Sequence, residues 1–119
     1  MRTDELPIIP QDMHLGKAII DVSKGKLGLG VSLDNDGKVV GLITDGDIRR
    51  AMERWQAQFF DHTVADIMTS EPKTVLPKTK ITEVQKIMHR HKIHSVLVTD
   101  ASNRLLGIVD SYAASLMSY

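Results

Sequence analysis

The sequence predicts a mixed α/β (α+β) fold made of two similar βαββα units that pack about a pseudo-twofold axis and leave two related clefts. The first observation is an internal repeat: shifting the chain of 119 residues by 66 positions lays residues 15–44 on residues 81–110 without a gap. The second is that each copy alternates between helical and strand-like apolar patterns. A unit of about 55 residues is marginal alone, so the two should pack together. The first copy and its leader occupy residues 1–62, and the linker and second copy occupy residues 63–119.

Each copy begins with an extended segment and an amphipathic helix. Residues 6–10 and 74–77 each end near a proline, which is typical of a short first strand. Apolar residues at helical spacing follow, and Gly25 is placed to end the first helix as a left-handed cap. These residues are Leu15, Ala18, Ile19 and Val22 in the first copy, and Ile81, Val84, Ile87 and Met88 in the second.

Two strands joined by a tight turn come next. β-Branched and aliphatic residues predict buried strands over Leu29–Leu33 and Ser95–Thr99. Residues 35–37 and 101–103 are types that tolerate positive φ, so the flanking strands should pair as hairpins. The third strands are then residues 39–43 and 105–109.

A second helix follows the first hairpin, and a linker joins the copies. The helix is predicted from core-facing residues at helical spacing: Ile48, Ala51, Met52 and Trp55. Its counterpart, from about Ser111 to the C-terminus, is shorter and less clearly patterned. Within the linker, residues 56–73, the pair Thr63 and Asp66 resembles an N-cap and predicts a short helix through Met68.

Composition and charge exclude several classes of function. The chain carries 15 basic and 15 acidic side chains, and this formal charge of zero supplies no long-range field for nucleic acid. It has no cysteine, hence no disulfide, thiolate nucleophile or sulfur-based zinc site. No apolar run approaches the roughly 20 residues of a membrane span, and no signal peptide or catalytic signature is present. We therefore expect a cytoplasmic, non-catalytic chain that binds neither nucleic acid nor membranes.

The string from Gly41 to Arg50, where a strand runs into a helix, is the most informative chemically. Thr44, Asp45 and Asp47 fall in the first turn of that helix, whose N–H groups lack intrahelical partners. A carboxylate there can accept hydrogen bonds from a sugar diol, and a threonine hydroxyl can donate and accept. The alternative is structural, with Thr44 or Asp45 capping the helix and Asp47 complementing its dipole. Both interpretations are open on the string alone.

Two further features accompany this string: residues 66–69 read Asp-Ile-Met-Thr, and the repeat covers most of the chain. Together these features resemble a tandem pair of cystathionine-β-synthase (CBS) domains. The resemblance implies a pseudo-symmetric disc whose clefts bind adenosine nucleotides or other ligands, with Thr44 and Asp47 holding the ribose and the neighbouring phosphate. The second copy has Asp110 and Ala113 at the matching positions, so we expect one main site, organised by the first copy.

Backbone and basic groups near the motif are further candidates for ligand contacts. The backbone of Leu27, Gly28 and Leu29 can admit a flat ring, because glycine permits close approach, although tight packing explains the glycine equally well. Arg49 and Arg50 follow the motif within one helical turn and can bind a phosphate or carboxylate, with a solvated helix face as the alternative.

The second copy and the aromatic residues offer weaker candidates. Lys92 and His94 open the second-copy strand and can face a cleft. The histidines around them do not predict a metal site, because residues two apart on a helix point to different faces and no cysteine completes a shell. Trp55, Phe59 and Phe60 predict packing or dimer contacts rather than a platform for a base.

A finer resemblance concerns the protein from which such a chain derives. Residues 44–50, 26–29 and 1–7 are similar to the C-terminal half of bacterial D-arabinose-5-phosphate isomerases. That resemblance implies an attached sugar-isomerase (SIS) domain, a homo-oligomer, a role in making Kdo for lipopolysaccharide or capsule, and regulation by AMP, ATP or CMP-Kdo. No cofactor is required. Residues 44–50 also resemble CBS pairs of sugar nucleotidyltransferases, and a dimerisation scaffold without a ligand is the alternative from another class.

Overall fold

A computed structural model describes residues 6–25 and 27–111 of the chain. These residues fall into two compact units: Pro7–Pro72 form the first, and the described residues from Lys73 onward belong to the second. Each unit combines helices with an antiparallel hairpin, so the predicted mixed α/β fold is confirmed.

Apart from the strand predicted over residues 6–10, the described elements occur in the predicted order. The first contains α1 (Leu15–Lys24), β1 (Leu29–Leu33), β2 (Val39–Thr44), α2 (Asp45–Trp55), a 3-10 helix (Gln56–Asp61) and α3 (Val64–Ile67). The second contains β3 (Thr74–Val75), α4 (Ile81–His91), β4 (Ser95–Thr99) and β5 (Leu105–Asp110). Apart from Ser111, the helix predicted at the C-terminus lies outside the described residues. None of the helices in the described ranges has the length and apolar character needed to cross a bilayer.

The two hairpins share one structure, displaced by 66 residues. β1 and β2 are antiparallel, with Leu29 opposite Thr44, and β4 and β5 are antiparallel, with Ser95 opposite Asp110. In both hairpins the register shifts between the fourth and fifth residues of the first strand. Because a bulge changes the pairing of the whole strand, its recurrence at one repeat position confirms the repeat more strictly than the apolar pattern does.

Each hairpin turns around an aspartate side chain. In both turns the Oδ1 atom of the aspartate accepts the backbone N–H groups two and four residues later, at 2.8 to 2.9 Å. The sets are Asp34 with Asp36 and Lys38, and Asp100 with Ser102 and Arg104. Positive φ angles occur at Gly37 (80°) and Asn103 (67°), within the two loops predicted to tolerate them.

The first extended segment of each copy is short. Within residues 6–10 only Ile8 forms a bridge, parallel to Val31, whereas β3 pairs with β4 through two residue pairs. The strand predicted over residues 6–10 is thus reduced to one bridge, because Pro7 and Pro10 have no N–H to donate to a ladder. Pro7 contributes only its carbonyl, which accepts the Val31 N–H at 2.8 Å.

One apolar cluster fills each unit. The buried residues of the first are Ile9, Leu15, Ala18, Val22, Ile43, Ile48, Ala51, Phe59 and Val64. Those of the second are Val75, Val84, Met88, Val96, Val98 and Val109. Ile48 and Ala51 of α2 face the core as predicted, but Met52 is 41% exposed. That part of the prediction was wrong: at about 100° per residue, Met52 lies roughly 40° from Ile48 on the side away from Ala51, at the edge of the core-facing stripe. Phe59 is buried and Phe60 is exposed.

The predicted left-handed cap at Gly25 is wrong. Gly25 has φ −76° and ψ 145°, and its N–H donates to the Val22 carbonyl at 3.2 Å before the chain leaves α1 in an extended conformation. Glycine permits a left-handed turn but does not require one. In the second unit the helix does end in a left-handed residue, Lys92, with φ 53°.

The linker helix α3 belongs by its contacts to the first unit, although the predicted boundary after residue 62 assigned it to the second copy. Val64 is fully buried in the first apolar cluster. Thr69 and Leu42 exchange backbone hydrogen bonds of 2.8 and 3.0 Å, which bind the linker to the edge of β2. The linker therefore covers β2 next to the motif that begins α2.

Candidate ligand site

A capping box closes the junction between β2 and α2. Thr44 ends β2 and is the N-cap of α2, with an extended backbone (φ −119°, ψ 165°). Its Oγ1 accepts the N–H of Asp47 at 3.2 Å, and Oδ2 of Asp47 accepts the N–H of Thr44 at 2.9 Å. This reciprocal pairing satisfies two donors that the helix start would otherwise leave free. The capping role considered for Thr44 is therefore present, and it fixes the position of both side chains.

Arg50 pairs with the other oxygen of Asp47. Its Nη2 lies 2.7 Å from Asp47 Oδ1, one helical turn along α2. The Arg50 side chain is 70% exposed and that of Asp47 is 20% exposed, so Arg50 is the partner more accessible to solvent. A Cβ built on Gly46 would lie 3.2 Å from Arg50 Nη1, so the guanidinium lies over the first turn of α2 in space that Gly46 leaves open.

Two more of the predicted residues meet at this junction. The Asp45 N–H donates to the Gly28 carbonyl at 3.0 Å. Gly28 has φ +65°, and a Cβ at this position would lie 2.7 Å from Asp45 Oδ2. Both the backbone conformation and the close approach therefore favour glycine here. The segment before β1 and the start of α2 form one continuous surface.

Not every predicted residue reaches this surface. Leu27 is half-buried next to Gly28. Leu29 is only 2% exposed, so its side chain packs in the interior, and the backbone contact predicted for this residue stays a prediction. Arg49 lies on the exposed side of α2, where it forms no ion pair with any residue in the described ranges.

Lys92 and His94 line a cavity within the second unit. The cavity has a volume of about 590 Å³ and lies between the last turn of α4 and the start of β4. Its lining residues are Gln85, Met88, His89, Lys92, Ile93, His94 and Ser111. Lys92 turns the chain sharply out of α4, and the His94 carbonyl accepts the Ser111 N–H at 2.7 Å. The fold thus brings these two predicted residues to one concave surface.

A smaller groove, of about 250 Å³, lies between α2 and α3. Its lining residues are Asp47, Arg50, Ala51, Arg54, Trp55, Asp66 and Ile67. The Trp55 ring stacks on the His62 imidazole, with centroids 3.5 Å apart and planes 8° from parallel. Arg54 Cζ lies 5.9 Å from the Trp55 ring centroid. The packing role predicted for Trp55 is therefore present, while the sequence reasoning missed Arg54, whose spacing of four from Arg50 was a usable signal.

The start of α3 repeats the capping arrangement of α2. The Thr63 N–H donates to Asp66 Oδ2 at 3.0 Å, and His62 Nδ1 lies 3.1 Å from the same oxygen. The Thr63 hydrogen bond, followed by the His62 contact, holds the pKa of Asp66 below its usual value of 3.8. The Thr-x-x-Asp spacing indicated this cap, but not the groove that Asp66 shares with Asp47.

The closed capping box leaves hydrogen-bonding capacity at the β2–α2 junction. A carboxylate oxygen can accept about two hydrogen bonds, and each oxygen of Asp47 accepts one from the protein. Thr44 Oγ1 accepts one and keeps its own hydrogen to donate. Within the ranges described, no three His, Asp or Glu side chains are grouped to hold a metal ion. The junction therefore keeps both hydrogen-bond acceptors, on Asp47, and a donor, on Thr44, that the protein does not use.

Comparison with known sequences gives two results. The family profile described as CBS domain matches the chain twice, over residues 1–54 and 64–112. Arabinose 5-phosphate isomerase KpsF of Escherichia coli O6:H1 is 33% identical over 105 residues, which cover 88% of this chain and 32% of that protein. Arabinose 5-phosphate isomerase KdsD of Pseudomonas aeruginosa is 35% identical over 107 residues, which cover 90% of this chain and 32% of that protein. The chain thus spans about a third of the length of these curated relatives.

A solved structure is similar over nearly the whole chain. It is the CBS domain pair of protein MJ0100, in complex with 5′-methylthioadenosine and S-adenosyl-L-methionine. Its TM-score is 0.85 at 26% identity, and the alignment covers 98% of this chain and 90% of that chain.

Proposed function

The chain belongs to the CBS-domain family, of which it carries two copies, and on that premise we propose that it is a regulatory module that senses a nucleotide or nucleotide-sugar. The observation that carries the proposal is the hydrogen-bonding capacity that Thr44 and Asp47 retain at the β2–α2 junction. Asp47 can accept hydrogen bonds from both hydroxyls of a ribose, and Thr44 can donate to the neighbouring phosphate, without opening the helix cap.

The other candidate residues have auxiliary roles in this proposal. Leu27, Gly28 and Asp45 border the ribose on the surface before β1, where the missing side chain of Gly28 leaves the backbone accessible. Lys92 and His94 line a separate cavity within the second unit, where the Lys92 ammonium suits an anionic group. Because Asp110 and Ala113 replace the motif in the second copy, the first copy provides the diol site.

The parent protein in this proposal is a sugar-phosphate isomerase that interconverts arabinose 5-phosphate and ribulose 5-phosphate. The relatives at 33 and 35% identity are arabinose 5-phosphate isomerases, and the chain matches about a third of each. A SIS catalytic domain then accompanies the CBS pair in a homo-oligomer, and a downstream product such as CMP-Kdo regulates the isomerase. The adenosine compounds bound to the MJ0100 pair support AMP or ATP as the other ligand class.

Titration calorimetry of the purified chain with AMP, ATP and CMP-Kdo tests the proposal. We expect heat of binding with at least one of them. Asp47→Ala should weaken that binding about 10- to 100-fold, because a charge-assisted hydrogen bond contributes about 1.5–3 kcal/mol. The matched control is Asp66→Ala, which removes the equivalent carboxylate from the α3 capping box but none of the proposed ligand groups.

The two variants separate a binding role from a capping role. If Asp66→Ala keeps the wild-type affinity while Asp47→Ala loses it, Asp47 contacts the ligand. Equal affinities in wild type and Asp47→Ala would reject the assigned role. Circular dichroism of both variants checks that α2 and α3 remain folded.

A dimerisation scaffold without a ligand is the second candidate. It is favoured by one observation: in the structure, both oxygens of Asp47 already have protein partners, namely Thr44 and Arg50. In that case none of the three compounds produces heat, and Asp47→Ala lowers only the free energy of unfolding. Sedimentation of the chain with and without each compound then gives the same oligomeric state.

A further inference from the structure

The Asp47–Arg50 pair places a positive charge beside the group proposed to hold the ribose. Arg50 Nη2 is 2.7 Å from Asp47 Oδ1, and Nη1 faces the open side of Gly46. The guanidinium has five N–H donors in a planar fork, so one contact with Asp47 leaves most of its donors available. Gly46 belongs to the first turn of α2, where N–H groups have no intrahelical acceptor. The guanidinium of Arg50 and the first turn of α2 therefore adjoin the Asp47 carboxylate, although the N–H groups of Asp45 and Asp47 already donate to Gly28 and Thr44.

The charges of Asp47 and Arg50 determine how strongly the site attracts or repels a charged ligand. A phosphate beside the ribose would lie close to the negative charge of Asp47 and would be repelled by it. Arg50 offsets this repulsion, because a guanidinium can contact a carboxylate and a phosphate at the same time. An uncharged nucleoside needs no such compensation and gains nothing from it.

We propose that Arg50 sets the charge class of the ligand, so that the site selects a nucleotide with an anionic group next to its ribose over the uncharged nucleoside. This rests on the proposed function, and in particular on Asp47 as the acceptor for the diol. With a nucleotide bound, Arg50 bridges Asp47 and the phosphate. With a nucleoside, it remains on Asp47 and competes with the ribose hydroxyls for Oδ1.

Arg49 provides the comparison that isolates this role. It is the adjacent residue, carries the same charge and lies on the same helix, but it has no ion pair with any residue of the described ranges. A general effect of positive charge near α2 would involve both arginines alike. A specific bridge involves Arg50 alone, because only Arg50 contacts Asp47.

Two pairs of probes measure the selectivity: AMP with adenosine, and CMP with cytidine. Their affinities for wild type, Arg50→Gln and Arg49→Gln are determined by calorimetry. For the pair that binds, we expect the wild type to prefer the nucleotide, and Arg50→Gln to weaken nucleotide binding about tenfold, as loss of a charge-assisted hydrogen bond does. Nucleoside affinity should stay the same or rise by up to about threefold, because Asp47 loses a competitor in an exposed pair. Arg49→Gln should leave the preference within about twofold.

The outcomes distinguish failure of this inference from failure of the proposed function. If wild type binds none of the four probes and does not bind ATP or CMP-Kdo, the proposed function fails and the inference fails with it. If wild type binds a probe, but Arg50→Gln weakens nucleotide and nucleoside equally or behaves like Arg49→Gln, only the inference is overturned. Raising the salt concentration should also reduce the nucleotide preference of wild type but not that of Arg50→Gln.

Discussion

The hairpin β1–β2 and the hairpin β4–β5 have the same register, the same bulge position and the same aspartate turn. The residues that follow them differ. The first hairpin leads into Thr44 and Asp47, which close a capping box, whereas the second leads to Asp110 and Ala113 at the matching positions. One repeat position thus carries hydrogen-bonding groups in the first copy and a methyl group in the second.

This difference shows that the scaffold and the chemistry of the repeat depend on different residues. The scaffold depends on apolar spacing and on one aspartate in each turn, and both copies retain these. The chemistry depends on a few side chains at the strand-to-helix junction, which can change without altering the hairpin.

The largest expected effect concerns residues 30 and 96, which are equivalent in the two copies but differ in side chain. Gly30 faces the side chains of Ile9 and Ile43, and a Cβ there would lie 2.9 Å from Ile9 Cγ1 and 3.3 Å from Ile43 Cγ2. Val96 occupies the equivalent position and is fully buried. Gly30→Val should therefore lower the free energy of unfolding by about 1–3 kcal/mol through overpacking, measured by urea denaturation.

A shortening of the equivalent side chain in the second copy provides the comparison for this prediction. Val96→Ala removes buried methyl groups and should cost about 2 kcal/mol. Gly30→Ala should lie between wild type and Gly30→Val. An unchanged urea midpoint for Gly30→Val would mean that Ile9 does not pack against β1 as the structure has it.

A smaller and equal effect is expected at the two turns. Asp34→Ala and Asp100→Ala each leave two backbone N–H groups without their carboxylate acceptor. Because these groups are exposed and water replaces the acceptor, each variant should lose about 1 kcal/mol. Urea denaturation of both variants measures this loss. Values that differ by more than about 1 kcal/mol would show that the turns are not energetically equivalent, despite their shared geometry.

The smallest effect concerns the N-terminal cap of α3 in the linker. The pKa of Asp66 is lowered by its Thr63 hydrogen bond and by His62, so the folded chain binds a proton less readily than the unfolded chain. The stabilisation is therefore present at neutral pH and is lost as pH falls below about 4, through the folded pKa. Asp66→Asn should reduce the loss of stability between about pH 5 and pH 3. Acid unfolding of both proteins is followed by circular dichroism. If wild type and Asp66→Asn lose stability equally as the pH falls, the Asp66 carboxylate does not stabilise the cap.

The sequence was sufficient to predict the elements that depend on local patterns. Helical spacing predicted α1 and α4, and the turn residues predicted both hairpins, because those signals act within a few neighbouring residues. The prediction failed at Gly25, where glycine allows two backbone conformations and the surrounding contacts select the extended one. It also failed at residues 6–10, where the two prolines remove ladder donors.

Parts of the candidate site were predictable for the same reason, and others were not. The spacing of Thr44 and Asp47 indicated the cap that the structure contains, and the diol site predicted from the same spacing stays a prediction. The contact of Gly28 with Asp45 and the stack of Trp55 on His62 depend on how separate segments fold together, which spacing does not specify. The 3-10 helix that carries the chain from Trp55 to His62 had no recognisable pattern of its own.

A map of backbone amide chemical shifts, recorded during titration with whichever of AMP, ATP and CMP-Kdo binds, tests directly whether the ligand occupies the first-copy junction. We expect the largest changes at Thr44, Gly46 and Asp47, with much smaller changes at Asp110 and Ser111. If the ligand binds while the amides of residues 44–47 keep their positions, the first-copy junction is not the ligand site.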